Sequence, residues 1–292
     1  MEAEIQPCEI ETPHEVLAPV RQSLPLVFAS PHSGRSYPPD FVAASRLDRV
    51  SLRRSEDGFV DEIFAAAPEL GAPLLRAHFP RAYVDANREP FELDPRMFVD
   101  ALPPYANTRS PRVAAGLGTI ARLVASGADI YRDKLAFSEA LYRIRNYYWP
   151  YHDALRHLID ETRERFGGCI LVDCHSMPSV GGPMDHDTGH RRVDFVLGDC
   201  HGTACSPRVT EAAEDVLTGL GYHVKRNTPY SGGFVTRNYG QPEDRVHALQ
   251  IEVNRALYME ERTVSRGPGL ARLAEDMRAL IVALGRLHPK TF

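Results

Sequence analysis

Apolar and polar positions follow two rhythms along this chain of 292 residues. Short unbroken apolar runs that stop at glycine, proline or a polar cluster read as buried strands, and apolar residues three or four apart read as one face of a helix. The run LPLVFA feeds SPHSG, a strand entering a loop marked by proline and glycine, and in GAPLLRAHFPRAYVDANR the extended stretches stop at Asn87 and Arg88. Between them, SLRRSEDGFVDEIFAAAPELG places Val60, Ile63, Phe64 and Ala67 at helical spacing and closes at Gly71, which predicts one linking helix. Residues 90 to 130 are rich in proline, glycine and turn formers and predict an irregular excursion, a rim or lid. SEALYRIRNYYWPYHDALRHLIDETRERFG then predicts helix of about two or three turns on either side of Pro150. The apolar run Cys169-Ile170-Leu171-Val172 follows, ending on Asp173, Cys174 and His175. VDFVLGDC, YHVKRNTPY and HALQIEVNRAL predict further strands, SPRVTEAAEDVLTGLG a helix, and residues 269 to 287 a last helix. This alternation predicts an α/β three-layer α/β/α sandwich with a mixed, mostly parallel sheet.

Composition narrows the setting. With 43% hydrophobic residues the chain can bury one large core, so one compact domain over residues 1–292 is expected. A net charge of -5 offers no basic face to nucleic acid or to an anionic membrane. No apolar run approaches the roughly 18 residues of a membrane span, and the N-terminal stretch MEAEIQPCEIETPHEV is acidic where a secretion signal is basic and then apolar; cytoplasm is the expected location. The five cysteines, Cys8, Cys169, Cys174, Cys200 and Cys205, suit reduced thiols rather than a disulfide framework or a thiolate zinc cluster.

In open α/β sheets ligands bind beyond the carboxyl ends of strands, so polar residues there carry weight. They are His32 in SPHSG, Asn87 and Arg88 in VDANR, His175 in VDCHS and Glu252 in LQIEVN. A carboxylate in a strand as apolar as HALQIEVNRAL is expensive to bury unless paired or functional. Two histidines and a carboxylate form the minimal protein shell of a catalytic zinc ion. Glu56 or Asp57 in SEDGF is the third candidate, though an acid at a helix start also serves as a cap. Arg35 stands where a His-x-x-Glu motif would put its acid, so spacing does not choose between them. Bland readings compete at each position. His32 could cap loop amides, Glu252 could pair with Arg255 or Arg88, and His152 and His157 read as packing or solvated residues. Gly232 and Gly233 could serve a turn of positive φ or let backbone approach a ligand. Asp173 lies on the same side of its strand as His175 and can orient the ring, while Cys174 points into the core.

The ordered blocks SPHSG, EDGFVDEIF, RAYVDANR, YHDALRHLI, DCHSMPS, DFVLGDCHGTAC, GGFVTRNYG and LQIEVNRALYMEE resemble the N-formylglutamate amidohydrolases over roughly residues 25 to 265. These enzymes release formate from N-formyl-L-glutamate at the end of a histidine-degradation route. The family is similar in turn to zinc carboxypeptidases and aspartoacylases, which implies a phosphorylase/hydrolase-like sandwich holding one Zn2+, or another divalent ion, on a His, acid, His site. Carried over, the resemblance implies His32, Asp57 and His175 as ligands, with Asp57 preferred to Glu56. It implies Glu252 as general base and Arg81 as the group facing the oxyanion. It also implies Asn87 and Arg88 on one substrate carboxylate, and Arg237 with Thr236 on the other. The implied partner is a small dicarboxylate N-acyl amino acid. Some members carry histidine where this chain has Phe234, and the residues around His201 vary. The alternatives are a hydrolase of another N-acyl amino acid or of a C-terminal peptide residue, and a non-catalytic binder of acidic ligands.

Overall fold

The computed structural model describes residues 7–183 and 185–289. The acidic N-terminal start, residues 1–6, lies outside the described residues. The apolar runs become one seven-stranded sheet of spatial order β1-β3-β2-β4-β7-β5-β6. Its strands are β1 (His14–Leu17), β2 (Leu26–Ser30), β3 (Leu74–Ala77), β4 (Cys169–Met177), β5 (Phe195–Gly198), β6 (Val224–Arg226) and β7 (Val246–Asn254). The sheet is mixed and mostly parallel. β3, β2, β4 and β7 run the same way, β5 parallels β6, and β1 and β5 lie antiparallel to β3 and β7. β4 and β7 are buried along all nine residues of each, which explains their near-continuous apolar sequences.

Helices flank both faces. The chain forms α1 (Pro39–Ala44), α2 (Arg49–Arg53), α3 (Val60–Ile63), α4 (Ala67–Leu70), α5 (Pro111–Ala114), α6 (Phe137–Arg143), α7 (Trp149–Phe166), α8 (Pro207–Gly219), α9 (Phe234–Tyr239) and α10 (Leu270–Gly285). On one face Val27, Leu75, Leu171 and Ala248 pack with Tyr151, Leu155 and Ile159 of α7. On the other, Phe28, Val172, Leu249 and Ile251 pack with Ile63 of α3, Val209 of α8 and Leu280 of α10. Strict alternation along the strands sends neighbouring side chains to opposite cores, which is why the sheet has two. No helix among the described residues is long and apolar enough to cross a membrane.

The structure corrects three sequence-based expectations and adds two elements that the sequence did not predict. β3 stops at Ala77, and RAYVDANR is turn and loop rather than strand: Pro80 starts a turn in which Tyr83 N donates to Pro80 O at 2.9 Å. Asn87 and Arg88 therefore sit on a loop beyond the strand. The single helix expected before Gly71 is broken into α2, α3 and α4, because Asp57 N donates to His32 O at 3.0 Å instead of up a helix, and Phe59 sits at φ 64°. Pro150 does not divide two short helices. It stands in the first turn of α7, which runs 18 residues, and a π turn over Ile144–Tyr148 precedes it with Trp149 N donating to Ile144 O. GGFVTRNYG holds a short helix after its two glycines, α9, which starts at Phe234. β1 was not anticipated from four half-buried residues at the sheet edge. Residues 90 to 130 hold a 3₁₀ turn at Pro95–Met97 and the one-turn α5 amid irregular backbone.

Gly34 follows His32 where the loop meets the end of β3, and a Cβ there would fall on the carbonyl of Phe79, which is backbone and cannot rotate away. Gly34→Ala is expected to lower stability in urea unfolding by about 1–3 kcal/mol, with the loop holding His32 displaced.

Candidate active site

β2, β4 and β7 are neighbours in the sheet, and their carboxyl-terminal halves and loops open on one cavity of about 210 Å³. His32, Asp57, Arg81, Asn87, Arg88, His175, Arg237 and Glu252 line it. Its floor is a buried group. The potential ligand atoms of His32, Asp57 and His175 lie within 4.8 Å of one another. Asp57 Oδ2 faces both imidazoles, 3.2 Å from His32 Nδ1 and 3.0 Å from His175 Nδ1. Each ring is fixed from behind by its own carboxylate: His32 Nε2 is 2.7 Å from Asp85 Oδ1, and His175 Nε2 is 2.8 Å from Asp173 Oδ1. A carboxylate only accepts, so the outer carboxylates hold a proton on each Nε2, and the two Nδ1 atoms, which face Asp57 Oδ2, are the ones a divalent ion would engage. Asn87 Nδ2, 3.1 Å from His175 Nε2, is then a neighbour rather than a donor. The donor set can hold a divalent ion: two imidazoles and a carboxylate converge, and both outer ring nitrogens are already satisfied.

The electrostatics follow from burial opposed by partners. Burial pushes the Asp57 carboxyl up, but hydrogen bonds from His175 and His32 outweigh it and hold the group well below its ordinary range. Arg255 Nη2 adds a bond to Asp57 Oδ1 at 3.1 Å. Burial pushes His175 down, yet Asp173 and Asp57 together raise it well above the ordinary histidine value. Asp85 is likewise held low against burial by Arg81 and Arg88. Glu252 is the exception. It pairs across the β4–β7 register with His175, accepts one bond from Gln250 Nε2 at 2.8 Å, and burial pushes it up to about 7, with His175 opposing and Asp57 adding to the rise.

The sequence candidates separate clearly in space. Glu56 is engaged elsewhere, accepting from Tyr37 Oη at 2.6 Å and from Arg53 Nε at 2.9 Å, while Asp57 faces the histidines. Arg81 donates to Asp85 Oδ2 at 2.9 Å and keeps Nη1 at 3.9 Å from Asp57 Oδ1. Arg88 is buried at the cavity wall, with Nε on Leu117 O and Nη1 on Asn87 O. Asn87 lines the cavity, but its Oδ1 accepts from Val235 N at 2.7 Å and so tethers the loop to α9. Thr236 does not face the cavity: wholly buried, its hydroxyl donates to Asp173 Oδ2 at 3.0 Å, behind His175. Arg237 is exposed at the cavity wall. Among the described residues Glu252 forms no ion pair with Arg255 or Arg88, since Arg255 is on Asp57 and Arg88 is nearest Asp85.

The glycines and buried side residues also resolve. Gly232 takes φ 129°, and a Cβ on Gly233 would strike the Asn87 amide. Cys174 points to the opposite core, and burial raises its thiol well above the ordinary value. His152 is neutral, pushed down to about 4 by burial, with Nε2 on Ala86 O and Nδ1 facing the Tyr239 hydroxyl; it braces the loop carrying Asp85 and Asn87. His157 is exposed, 3.3 Å from Glu161. Sequence reading missed Asp85, Gln250 and Arg112, and offered Arg255 only as a partner for Glu252, whereas it sits on Asp57. Asp85 had a signal, standing in the same RAYVDANR block as Arg81; Gln250 and Glu252 share one face of β7 by their spacing of two.

A cavity walled by arginines above such a donor set suits an anionic substrate and hydrolytic chemistry. The chain belongs to the N-formylglutamate amidohydrolase family, whose model matches residues 24–259. It is 32% identical over 270 residues to N-formylglutamate deformylase of Pseudomonas aeruginosa, covering 91% of this chain and 93% of that protein. The deformylase of Pseudomonas putida is 31% identical over 241 residues, covering 82% of this chain and 83% of its own. The crystal structure of N-formylglutamate amidohydrolase from Ralstonia eutropha matches with a TM-score of 0.87 at 36% identity, covering 96% of this chain and 100% of that chain. The chain is accordingly a hydrolase acting on an amide.

A divalent ion taken up here would displace the proton that the carboxylates hold on His175, so any affinity for zinc is expected to rise with pH, read by chelator competition. In the same titration Asp85→Asn is expected to weaken any zinc binding about 10- to 100-fold by releasing the His32 ring.

Proposed function

We propose that this protein hydrolyses N-formyl-L-glutamate to formate and L-glutamate, as a zinc-dependent amidohydrolase of histidine degradation in the cytoplasm. The observation that carries the reading is Glu252: a carboxyl raised to about 7, beside a His-Asp-His donor set, in a cavity whose other charges are mostly arginine. The names of the deformylases from both Pseudomonas species support the substrate. Helices on both faces of the mixed sheet support a three-layer, zinc carboxypeptidase-like sandwich, read as one catalytic domain with residues 90–130 as an insertion.

A divalent ion, zinc in this reading, held by His32, Asp57 and His175 would supply Lewis acidity to water and to a carbonyl oxygen. Glu252 takes a proton from the attacking water as oxygen adds to the formyl carbon. Arg81 presents its guanidinium to the negative charge that develops on the formyl oxygen. The carbon–nitrogen bond then breaks, Glu252 returns the proton to the leaving amine, and formate and glutamate result. Gln250 holds Glu252 in place from behind, through its bond at 2.8 Å. Arg88 receives the α-carboxylate, and Arg237 carries the remaining charge of the substrate. Asn87 and Thr236 act by positioning, one tethering the loop to α9 and the other holding Asp173.

The test is formate release from N-formyl-L-glutamate by purified protein, with chelation and zinc add-back, beside N-formyl-L-alanine and N-acetyl-L-glutamate. Activity is expected to vanish on chelation, return with zinc and favour formylglutamate. A metal-loaded but silent protein would overturn the substrate, and activity that survives complete metal removal would overturn the metal. Glu252→Gln is expected to lower kcat about 10²- to 10⁴-fold with metal content retained. A base accepts protons only when ionised, and the ionised fraction of Glu252 grows as pH rises, so kcat/KM is expected to fall on the acid side of about 7.

A further inference from the structure

The arginines of the cavity wall are not equivalent. Arg255 is held on Asp57 and on the carbonyls of Arg54 and Glu56, and Arg81 is held on Asp85. Arg88 is buried and close to the reaction centre through Asp85. Arg112 and Arg237 are different: both are exposed at the cavity wall, and among the described residues neither side chain forms a hydrogen bond or ion pair. Arg112 belongs to α5, in the irregular excursion that the sequence offered only as a rim or lid.

That excursion is tied to the catalytic loop by backbone. Asp85 N donates to Thr119 O at 2.8 Å, and Arg88 Nε donates to Leu117 O at 2.8 Å. Leu117 N in turn donates to Arg112 O at 2.8 Å, so Arg112 and Arg88 share one short hydrogen-bonded path. Ser110 caps α5, its hydroxyl accepting from Val113 N at 3.0 Å, and the same hydroxyl bonds Glu92. Arg112 is thus presented from an anchored turn. Its charge is felt at Arg88, whose pKa burial brings down to about 10, with Asp85 opposing and Arg112 adding to the fall. Arg88, Arg112 and Arg237 line the same cavity, and cations lining one cavity form a seat for an anion.

We propose that Arg112 is a specificity-determining residue, seating with Arg237 the side-chain carboxylate of an N-acyl dicarboxylic amino acid. The inference rests on the reading of the site as an N-formylglutamate hydrolase and adds how the substrate's second carboxylate is selected. In such a substrate the α-carboxylate lies one carbon from the scissile nitrogen and belongs with the buried Arg88. The side-chain carboxylate reaches further out, to the exposed cations at the mouth. Selection for a dicarboxylate is therefore built by the excursion and α9, not by the sheet.

The experiment compares zinc-loaded wild type, Arg112→Ala, Arg112→Gln and Arg112→Lys on N-formyl-L-glutamate and N-formyl-L-alanine. The preference for formylglutamate, taken as the ratio of kcat/KM values, is expected to fall about 10- to 100-fold in the Ala and Gln variants, mainly through KM, with Lys recovering part. A ratio that stays at the wild-type value, or an equal loss on both substrates, would overturn the assignment. Calorimetric titration with glutarate and butyrate reads the seat without turnover. If wild type cleaves neither formyl compound, the proposed reaction fails, while weaker glutarate binding in Arg112→Ala with butyrate less affected still supports the seat. Equal effects on glutarate and butyrate would sink it.

Discussion

Asp57 holds an ionised carboxylate at 1% exposure, and the architecture of the site follows from how that charge is balanced. An isolated charge in such a place loses several kcal/mol of hydration, so it persists only with close partners. Two imidazoles and Arg255 provide them, and those imidazoles are buried as well. Their need is met by Asp85 and Asp173, which are served in turn by Arg81 and by the Thr236 hydroxyl. Signs alternate outward from one carboxylate until the chain reaches the cavity wall. Removing any link exposes the next charge inward, so the centre and its surroundings stand as one unit.

Glu252 escapes this arrangement by its strand position. It faces His175 across parallel strands, and Gln250, two residues back on the same face, supplies its one amide donor. No guanidinium closes on it among the described residues. Its proton affinity is therefore set mainly by burial, which suits the proposed role of taking and giving a proton near neutrality.

Much of this was legible in the sequence because strand periodicity is a strong signal. The apolar runs gave β2, β4, β5 and β7, and the polar residues interrupting them, His32, His175 and Glu252, were recognisable because a polar side chain in such a run is costly. Asp173 was placed behind His175 by the spacing of two along a strand. What stayed hidden depended on contacts between distant segments. The helix broken at Asp57 owes its break to the His32 carbonyl, and α9 starts where Asn87 meets Val235; neither partner is near in sequence. Thr236 sits beside Arg237, yet a single residue step along the helix sends the first inward and the second outward. Arg112 stood in a stretch without periodicity, where no pattern could say which way it faced.

The pairing of β4 with β7 along all nine residues also has a consequence for how the molecule comes into being. β7 is the last strand of the sheet to be synthesised, and it inserts between β4 and β5, which precede it. Contacts of such sequence separation form late, because a long loop must close before they contribute. A nascent chain ending before β7 already contains His32, Asp57 and His175, but it lacks both the central strand that covers β4 and the glutamate that strand delivers. The polypeptide therefore carries its metal-type side chains before it has Glu252, the base in the proposed reaction, and the site is complete only with the strand that completes the fold.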